Sequence, residues 1–371
     1  MTIDSFLVKP WAGAAIALVF ILNGYALVTP RPVIGMILLI VGAVLLIGVV
    51  ISKIVAAALP PPPGNLHTIG GAKMHIVAEG KVHESHPVIW VAGGHGEGLL
   101  MQHLHDGIKT DTRSITFDRP GSGWSGIGSL PLTVSGEVKW LKQLLDANDE
   151  VGPFVLAGHS FGGMFSVNFA HHYPELVAGL VLLDPTPPWN VAFAGRLSFG
   201  TTLRKSRWRA LASQFGLSNL IEPEIDEEDS DYYRTLADVA DVINRHSVEP
   251  KSLLAEASIF RSVIANPLDL VIGSGALGDV PLLLISANEG DDVHAATRAS
   301  LKEMLGLTNL QASNLWDGLT DSVSQQARLS SEGRLLDAPR GASHMFPYEH
   351  PDFVLAEVRN LISKGNPETD A

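Results

Sequence analysis

Phe154-Val155-Leu156-Ala157-Gly158-His159-Ser160-Phe161-Gly162-Gly163 sets a G-x-S-x-G pentapeptide between an apolar run and a helical stretch. Strand, serine corner and helix, in that order, are the context that gives this pentapeptide chemical meaning. Glycines at 158 and 162 remove Cβ atoms that would collide with the neighbouring strand and helix. Ser160 Oγ would then stand at the carboxyl edge of a sheet, at the positive end of the helix over Gly162–His172.

Working outward, the same theme repeats. Val88–Ala92, Ser114–Phe117, Leu180–Leu183, Leu282–Ser286 and Arg334–Leu336 are short apolar runs, and Leu66–Val77 reads as a strand pair turned at Gly70-Gly71. Such runs suit strands buried on both faces, as a parallel sheet requires. Between them lie amphipathic helices; Val138, Leu141, Leu144 and Leu145 share one face of a helix starting near Ser135, which is its expected N-cap. Strand–helix alternation predicts a doubly wound α/β sheet with its ligand at the carboxyl ends of the strands.

A serine hydroxyl is a poor nucleophile at neutral pH and needs a base, an orienting acid and an oxyanion hole. On such a sheet the order along the chain is Ser, acid, His. His344, in the turn Gly341-Ala342-Ser343-His344-Met345 after the last strand, fills the place of the base; His350 fits the N-terminus of the closing helix over Pro351–Ile362 instead. For the acid, Asp291 follows the run Leu282–Ser286, whereas Asp184 directly ends Leu180–Leu183 and Asp292 is a third option. These remain alternatives. The oxyanion donors expected are the N–H of Phe161 and, from the loop Gly93-Gly94-His95-Gly96-Glu97-Gly98, that of Gly94. No Lys-Ser/Thr follows these glycines, so they do not read as a phosphate-cradling loop.

The stretch from Gly64 to Ile362 resembles the α/β-hydrolase superfamily in its serine-hydrolase branch. Three blocks carry the resemblance: Asp118-Arg119-Pro120-Gly121-Ser122-Gly123-Trp124-Ser125, Gly158–Gly163, and Ala170–Pro185 with Tyr173-Pro174-Glu175. It implies an eight-stranded, mostly parallel sheet, a helical cap after the sixth strand, and no cofactor. The chain departs from the common pattern in having Ala92-Gly93 where His-Gly is usual after the third strand. In the first block, Asp118 and Arg119 are expected to brace the site by an ion pair, with Trp124 near the pocket. His103 and His105 mimic a metal motif, but positions i and i+2 of a helix face apart, so no metal site is expected.

The chain has 371 residues, 26 of them Lys or Arg and 39 Asp or Glu, for a net charge of −13. That balance excludes a nucleic-acid binder, which needs a basic face. There is no cysteine, so disulfides and thiolate chemistry are out. No charge occurs from Trp11 to Thr29 or from Val33 to Ser52, and Pro30-Arg31-Pro32 joins the two runs. Each run is about 30 Å long as a helix, the thickness of a bilayer core. The resulting organisation is a membrane anchor over 1–59 with helices at about 11–29 and 33–52, a proline-rich linker over 60–64, a hydrolase core over 65–186 and 276–363, a helical cap over 187–275, and a disordered tail over 364–371. The stiff linker is expected to lift the core off the membrane. Glu222, Glu224, Asp226, Glu227, Glu228, Asp229 and Asp231 form an acidic run in the cap that reads as a solvated loop. Lys9 and Lys53 flank the hairpin and Arg31 sits in its turn, which favours a cytosolic core.

Two function classes follow. One is a membrane-anchored serine hydrolase that cleaves an ester, lactone, thioester or amide of a lipophilic substrate through an acyl-enzyme, or passes the acyl group to an alcohol as an acyltransferase. The other is a non-catalytic scaffold on the same fold, for which an intact Ser160 and His344 would be superfluous. A serine in place of an aspartate nucleophile disfavours epoxide-hydrolase chemistry.

Overall fold

The computed structural model describes residues 2–81, 85–217, 234–270 and 272–364, and of residues 194–202, 291, 301 and 364 the backbone only. Eight strands form one sheet: β1 Asn65–Ile69, β2 Ala72–Glu79, β3 Val88–Val91, β4 Ser114–Phe117, β5 Phe154–His159, β6 Val177–Leu183, β7 Leu282–Ser286 and β8 Gly333–Asp337. Their spatial order is β1-β2-β4-β3-β5-β6-β7-β8. β2 runs antiparallel to both neighbours, and every pairing from β4 to β8 is parallel. The central strands are buried along their whole length. Because side chains alternate faces, they feed two cores. Ile89, Leu156, Leu180 and Leu284 point into one, and Val88, Val155, Val181 and Leu283 into the other.

The helices are α1 Ile3–Leu7, α2 Ala12–Leu27, α3 Pro32–Ala57, α4 Gln102–Ile108, α5 Val134–Ala147, α6 Phe161–His172, α7 Pro188–Gln214, α8 Ala240–Ser247, α9 Pro250–Ala265, α10 Asp291–Leu305, α11 Asn309–Ser324, α12 Phe346–Glu349 and α13 Pro351–Lys364. Helix α5 has its N-cap two residues earlier than its sequence suggests. Thr133, not Ser135, is its N-cap: Thr133 is extended and its hydroxyl accepts from the N–H of Gly136 at 3.1 Å. Between β6 and β7 the described residues are helical, with no strand; the acidic run from Glu222 to Asp231 lies outside them.

Helices α2 and α3 form an antiparallel hairpin whose seam is made of small residues. Ala17 and Gly24 on α2 meet Gly35 and Gly42 on α3, spaced by sevens, so one stripe of each helix stays buried. A Cβ on Gly35 would lie 2.5 Å from Val28 Cα, so the backbones are in direct contact there. The outer faces are apolar and bare: Leu22, Tyr25, Ile40, Val44, Ile47 and Ile54 are all exposed. Helix α3, with 26 residues, is long and apolar enough to cross a membrane, while α2 has 16.

The hairpin does not stand off from the core as the proline run suggests. Asp4 takes both Nε and Nη2 of Arg207 on α7, at 2.6 and 2.9 Å. Gln214 donates to the carbonyl of Leu7 and accepts from the N–H of Gly13, and Ser52 donates to the carbonyl of Ser213. The linker is pinned as well: Trp124 donates to the carbonyl of Pro60, and His75 bonds that of Pro63. A polyproline stretch lacks N–H groups but keeps its carbonyls, and these are what the core holds.

Candidate active site

Ser160 links β5 to α6 at φ 53°, ψ −120°, a left-handed backbone setting that costs a non-glycine residue energy. The surrounding contacts hold it there. Its N–H donates to the carbonyl of Leu183 on β6, and its own carbonyl accepts from the N–H groups of Gly163 and Thr186. The two flanking glycines are both required. A Cβ on Gly158 would stand 2.4 Å from Gly162 O, and one on Gly162 would stand 2.3 Å from Val91 O on β3. So α6 can approach the sheet only over hydrogen atoms.

Two further side chains meet the serine. His344, in the loop after β8, places Nε2 3.0 Å from Ser160 Oγ, and its Nδ1 lies 2.5 Å from Asp184 Oδ2. Asp184 leaves the end of β6 at φ 43°, so the carboxyl ends of neighbouring strands both carry left-handed non-glycine residues. The second oxygen of Asp184 accepts from the N–H of Ala287 beyond β7. Among the acid alternatives it is therefore Asp184 whose carboxylate meets the imidazole. Asp291 opens helix α10, and its side chain lies outside the described residues; Asp292 is exposed on the same helix. The loop after β7 still supplies an acid to this histidine, but to its backbone: Glu289 accepts the N–H of His344 at 3.1 Å.

Several supporting residues were not visible from the sequence. Thr186, two positions beyond Asp184, sets its hydroxyl 3.0 Å from Ser160 Oγ. His159 is fully buried, stacks on the His344 ring at 4.8 Å between centroids, and bonds the carbonyl of His344 through Nε2 at 2.9 Å. Burial, helped by the neighbouring His344, pushes its pKa down to about 3, so it is a neutral donor that ties the His344 loop to β5.

Arg119 does not pair with Asp118 as expected. Its guanidinium donates to the carbonyls of Ala92, Gly93 and Gly94, and burial lowers its pKa to about 10. Turning three successive carbonyls toward Arg119 commits the loop after β3 to one orientation beside Ser160; a Cβ on Gly93 would lie 3.3 Å from that of Ser160. Gly94 takes φ +53°, and Phe161 is the first residue of α6, where N–H groups have no intrahelical acceptor. Asp118 instead accepts from His75, the N–H of Gly98 and the N–H of Trp124. His95–Glu137 and Glu97–His246 are buried pairs that hold the same loop. Trp124 does not line the pocket; it packs between the rings of His75 and His246.

The other histidines have local roles. His103 bonds the carbonyl of Pro347, His105 bonds Ser114, and His172 bonds the carbonyl of Asn168. Glu79 and Asp106 come close to His105, but Lys109 sits between them at 2.8 and 2.6 Å and supplies the positive charge.

A cavity of about 1010 Å³ opens from Asp184, Thr186 and His344 between α7, α9, α10 and α11. Its walls are largely apolar, with Val191, Phe193, Phe260, Ile264, Trp316 and Val323 among them.

The sequence profile of the alpha/beta hydrolase family matches residues 86–357. Over 55 residues the chain is 49% identical to lipase LipV of Mycobacterium tuberculosis, a match covering 15% of this chain and 21% of that protein. Over 139 residues it is 31% identical to the (lyso)-N-acylphosphatidylethanolamine lipase of Mus musculus, covering 36% of this chain and 39% of that one. The chain thus matches less than half the length of these curated relatives. A crystal structure of the Bacillus megaterium epoxide hydrolase superposes with a TM-score of 0.56 at 18% identity, over 81% of this chain and 100% of that one.

Proposed function

This chain belongs to the alpha/beta hydrolase family, and from that premise we propose that it is a hydrolase, a serine acyl hydrolase of lipophilic esters, anchored to a membrane by its N-terminal hairpin. One observation carries the chemistry: Ser160 Oγ, His344 Nε2 and Nδ1, and Asp184 Oδ2 form a continuous chain of contacts at 3.0 and 2.5 Å. Asp184 takes Nδ1–H, which leaves Nε2 free to accept the Ser160 proton. Ser160 Oγ then attacks the acyl carbon from its elbow between β5 and α6. His344 returns the proton to the leaving oxygen as the acyl–oxygen bond breaks. Water, activated by the same imidazole, cleaves the acyl-enzyme and restores Ser160. The oxyanion is held by the N–H of Phe161 and by an N–H of the Gly93-Gly94 loop that Arg119 orients. With Ser160–His344 bonded, the Thr186 hydroxyl donates to the nucleophile's remaining lone pair and fixes its rotamer.

The names of the lipase relatives favour an acyl ester as substrate, and the apolar cavity suits a long chain. For the anchor, the support is the length of α3 and its bare apolar surface, only 17% of its most apolar window being buried. Lys9 and Lys53 at the open end favour that side as cytosolic.

The test is Ser160→Ala with p-nitrophenyl acyl esters of graded length and a fluorophosphonate probe. The expected result is a loss of turnover of about 10⁴-fold or more, no labelling, and an unchanged melting temperature. Hydrolysis by the variant at near wild-type rate would refute the assignment.

A further inference from the structure

Helix α7 carries Arg204-Lys205-Ser206-Arg207-Trp208-Arg209, four cations within six residues of a chain whose net charge is −13. The structure separates them by role. Arg207 is held by Asp4 of the N-terminal segment. Arg204 and Trp208 lie one turn apart on an exposed face outside the cavity wall. Lys205 and Arg209, also exposed and one turn apart, line the cavity that holds His344 and Asp184. Neither is in an ion pair with any described residue. The acidic groups in that wall are Asp184 and Glu289, both engaged by His344 and its loop, and Glu256 on α9, which is exposed. Among the described residues of that wall, two cations therefore stand against one free carboxylate.

Its location adds a second constraint. The end of α7 at Ser213 and Gln214, with Phe215 just beyond it, is packed near the open end of the hairpin, where a Cβ on Gly48 would lie 2.3 Å from Phe215 O. In an anchored protein that end lies at the headgroup layer, and Arg209 and Lys205 stand about one and two turns of α7 away from it, near the depth of lipid phosphates and carboxylates. A cavity this large also exceeds what a short acyl group fills.

Resting on the acyl-hydrolase reading above, we propose that Lys205 and Arg209 form an anion subsite of the catalytic cavity, and that the substrate is an amphiphile bearing a phosphate or carboxylate group as well as an apolar chain. The apolar part packs against Phe260, Trp316 and Val323, and the anion pairs with the two cations.

Full-length protein in zwitterionic nanodiscs is assayed with 1-dodecanoylglycerol 3-phosphate and 1-dodecanoylglycerol, which share one ester and differ in charge. Wild type is expected to prefer the phosphate in kcat/KM, mainly through KM. Lys205→Met with Arg209→Met should cut the phosphate-to-neutral ratio at least tenfold, about 1.4 kcal/mol. Glu256→Gln should raise the ratio, and Arg204→Met, which removes a charge from the other face, should leave it in place. A wild-type ratio near one, or a ratio the double variant does not move, overturns the subsite. Substrate presented as monomer must show the same preference; a preference seen only with anionic vesicles would assign the effect to the bilayer surface and also overturn it. Binding of monododecyl phosphate against dodecyl maltoside to Ser160→Ala separates the two proposals. If that preference exists and is lost in the Met variant while no ester is cleaved by wild type, the subsite stands and the acyl-hydrolase reading falls.

Discussion

A serine held at φ 53° is maintained by its surroundings, and the same holds for Asp184 at φ 43°. Each stands where a strand ends, so the strain is offset by bonds to the next strand. That arrangement makes the role of Asp184 testable. Asp184→Asn should lower kcat about 10³- to 10⁴-fold with KM nearly constant, because an amide cannot hold the imidazole in the productive tautomer. A larger loss in Asp291→Asn would reverse the assignment. Ser160 and His344 were readable from local pattern alone, a G-x-S-x-G corner and a late histidine in a glycine turn. The choice between Asp184 and Asp291 was not, since both follow strands that lie side by side, and the contact of Asp184 with His344 exists only in the folded chain. Arg119 was legible as important and wrong in partner: next to Asp118 in sequence, it turns away to three carbonyls. Buried histidines set the response to pH. His159 and His103 have pKa values lowered by burial to about 3 and about 4. Both stay neutral when folded and protonate near 6.5 when unfolded, so the stability they contribute is present above pH 6.5 and is lost as pH falls below it. His75, raised because Asp118 and the Pro63 carbonyl outweigh its burial, acts in the opposite sense. His246 is likewise lowered to about 4 and His105 is lowered, both by burial, so unfolding free energies at pH 7 and 5 should differ by up to about 2 kcal/mol for each histidine held near 3 or 4. His159→Gln should shrink that difference; an unchanged slope would show that His159 is charged in the fold.

At the scale of elements, α6 packs against β3 through Gly162. A methyl group there meets Val91 O at 2.3 Å, a backbone atom with nowhere to go. Gly162→Ala is therefore expected to destabilise by about 1–3 kcal/mol and to displace Ser160, lowering the melting temperature and activity together. Full activity at normal stability would mean the helix can slide outward. Strand positions were legible because short, largely apolar runs, most of them bounded by proline, glycine or a charged residue, have few alternatives. Element ends were less so: α5 starts at Thr133 because a hydroxyl there reaches the N–H of Gly136, and Ser135 offers an equally good side chain two residues too late. The seam of the hairpin was also hidden, because α2 and α3 are apolar on all sides and only contact shows which stripe is glycine against backbone.

Across the whole molecule, α7 is the element that joins everything, lining the catalytic cavity with Asn190 and Val191 and clasping the hairpin through Arg207, Ser213 and Gln214. Removing residues 1–59 would leave Gln214, which is buried, without its partners at Leu7 and Gly13. The truncated chain is expected to expose α7 to limited proteolysis and to melt lower than the full chain in detergent. Equal protease resistance and an equal melting temperature would show that the hairpin is only a tether. Local chemistry settled what could be read along the chain: the alternation of buried strands and amphipathic helices, a serine at a corner, a histidine far downstream and two apolar helices at the start. Those features are set by neighbours within a few residues, where spacing and propensity act. Only the folded molecule decided which aspartate meets His344, what Arg119 holds, and that the hairpin lies against the cap. Each of these joins residues more than twenty positions apart through the direction of a single side chain, and direction is a property of packing.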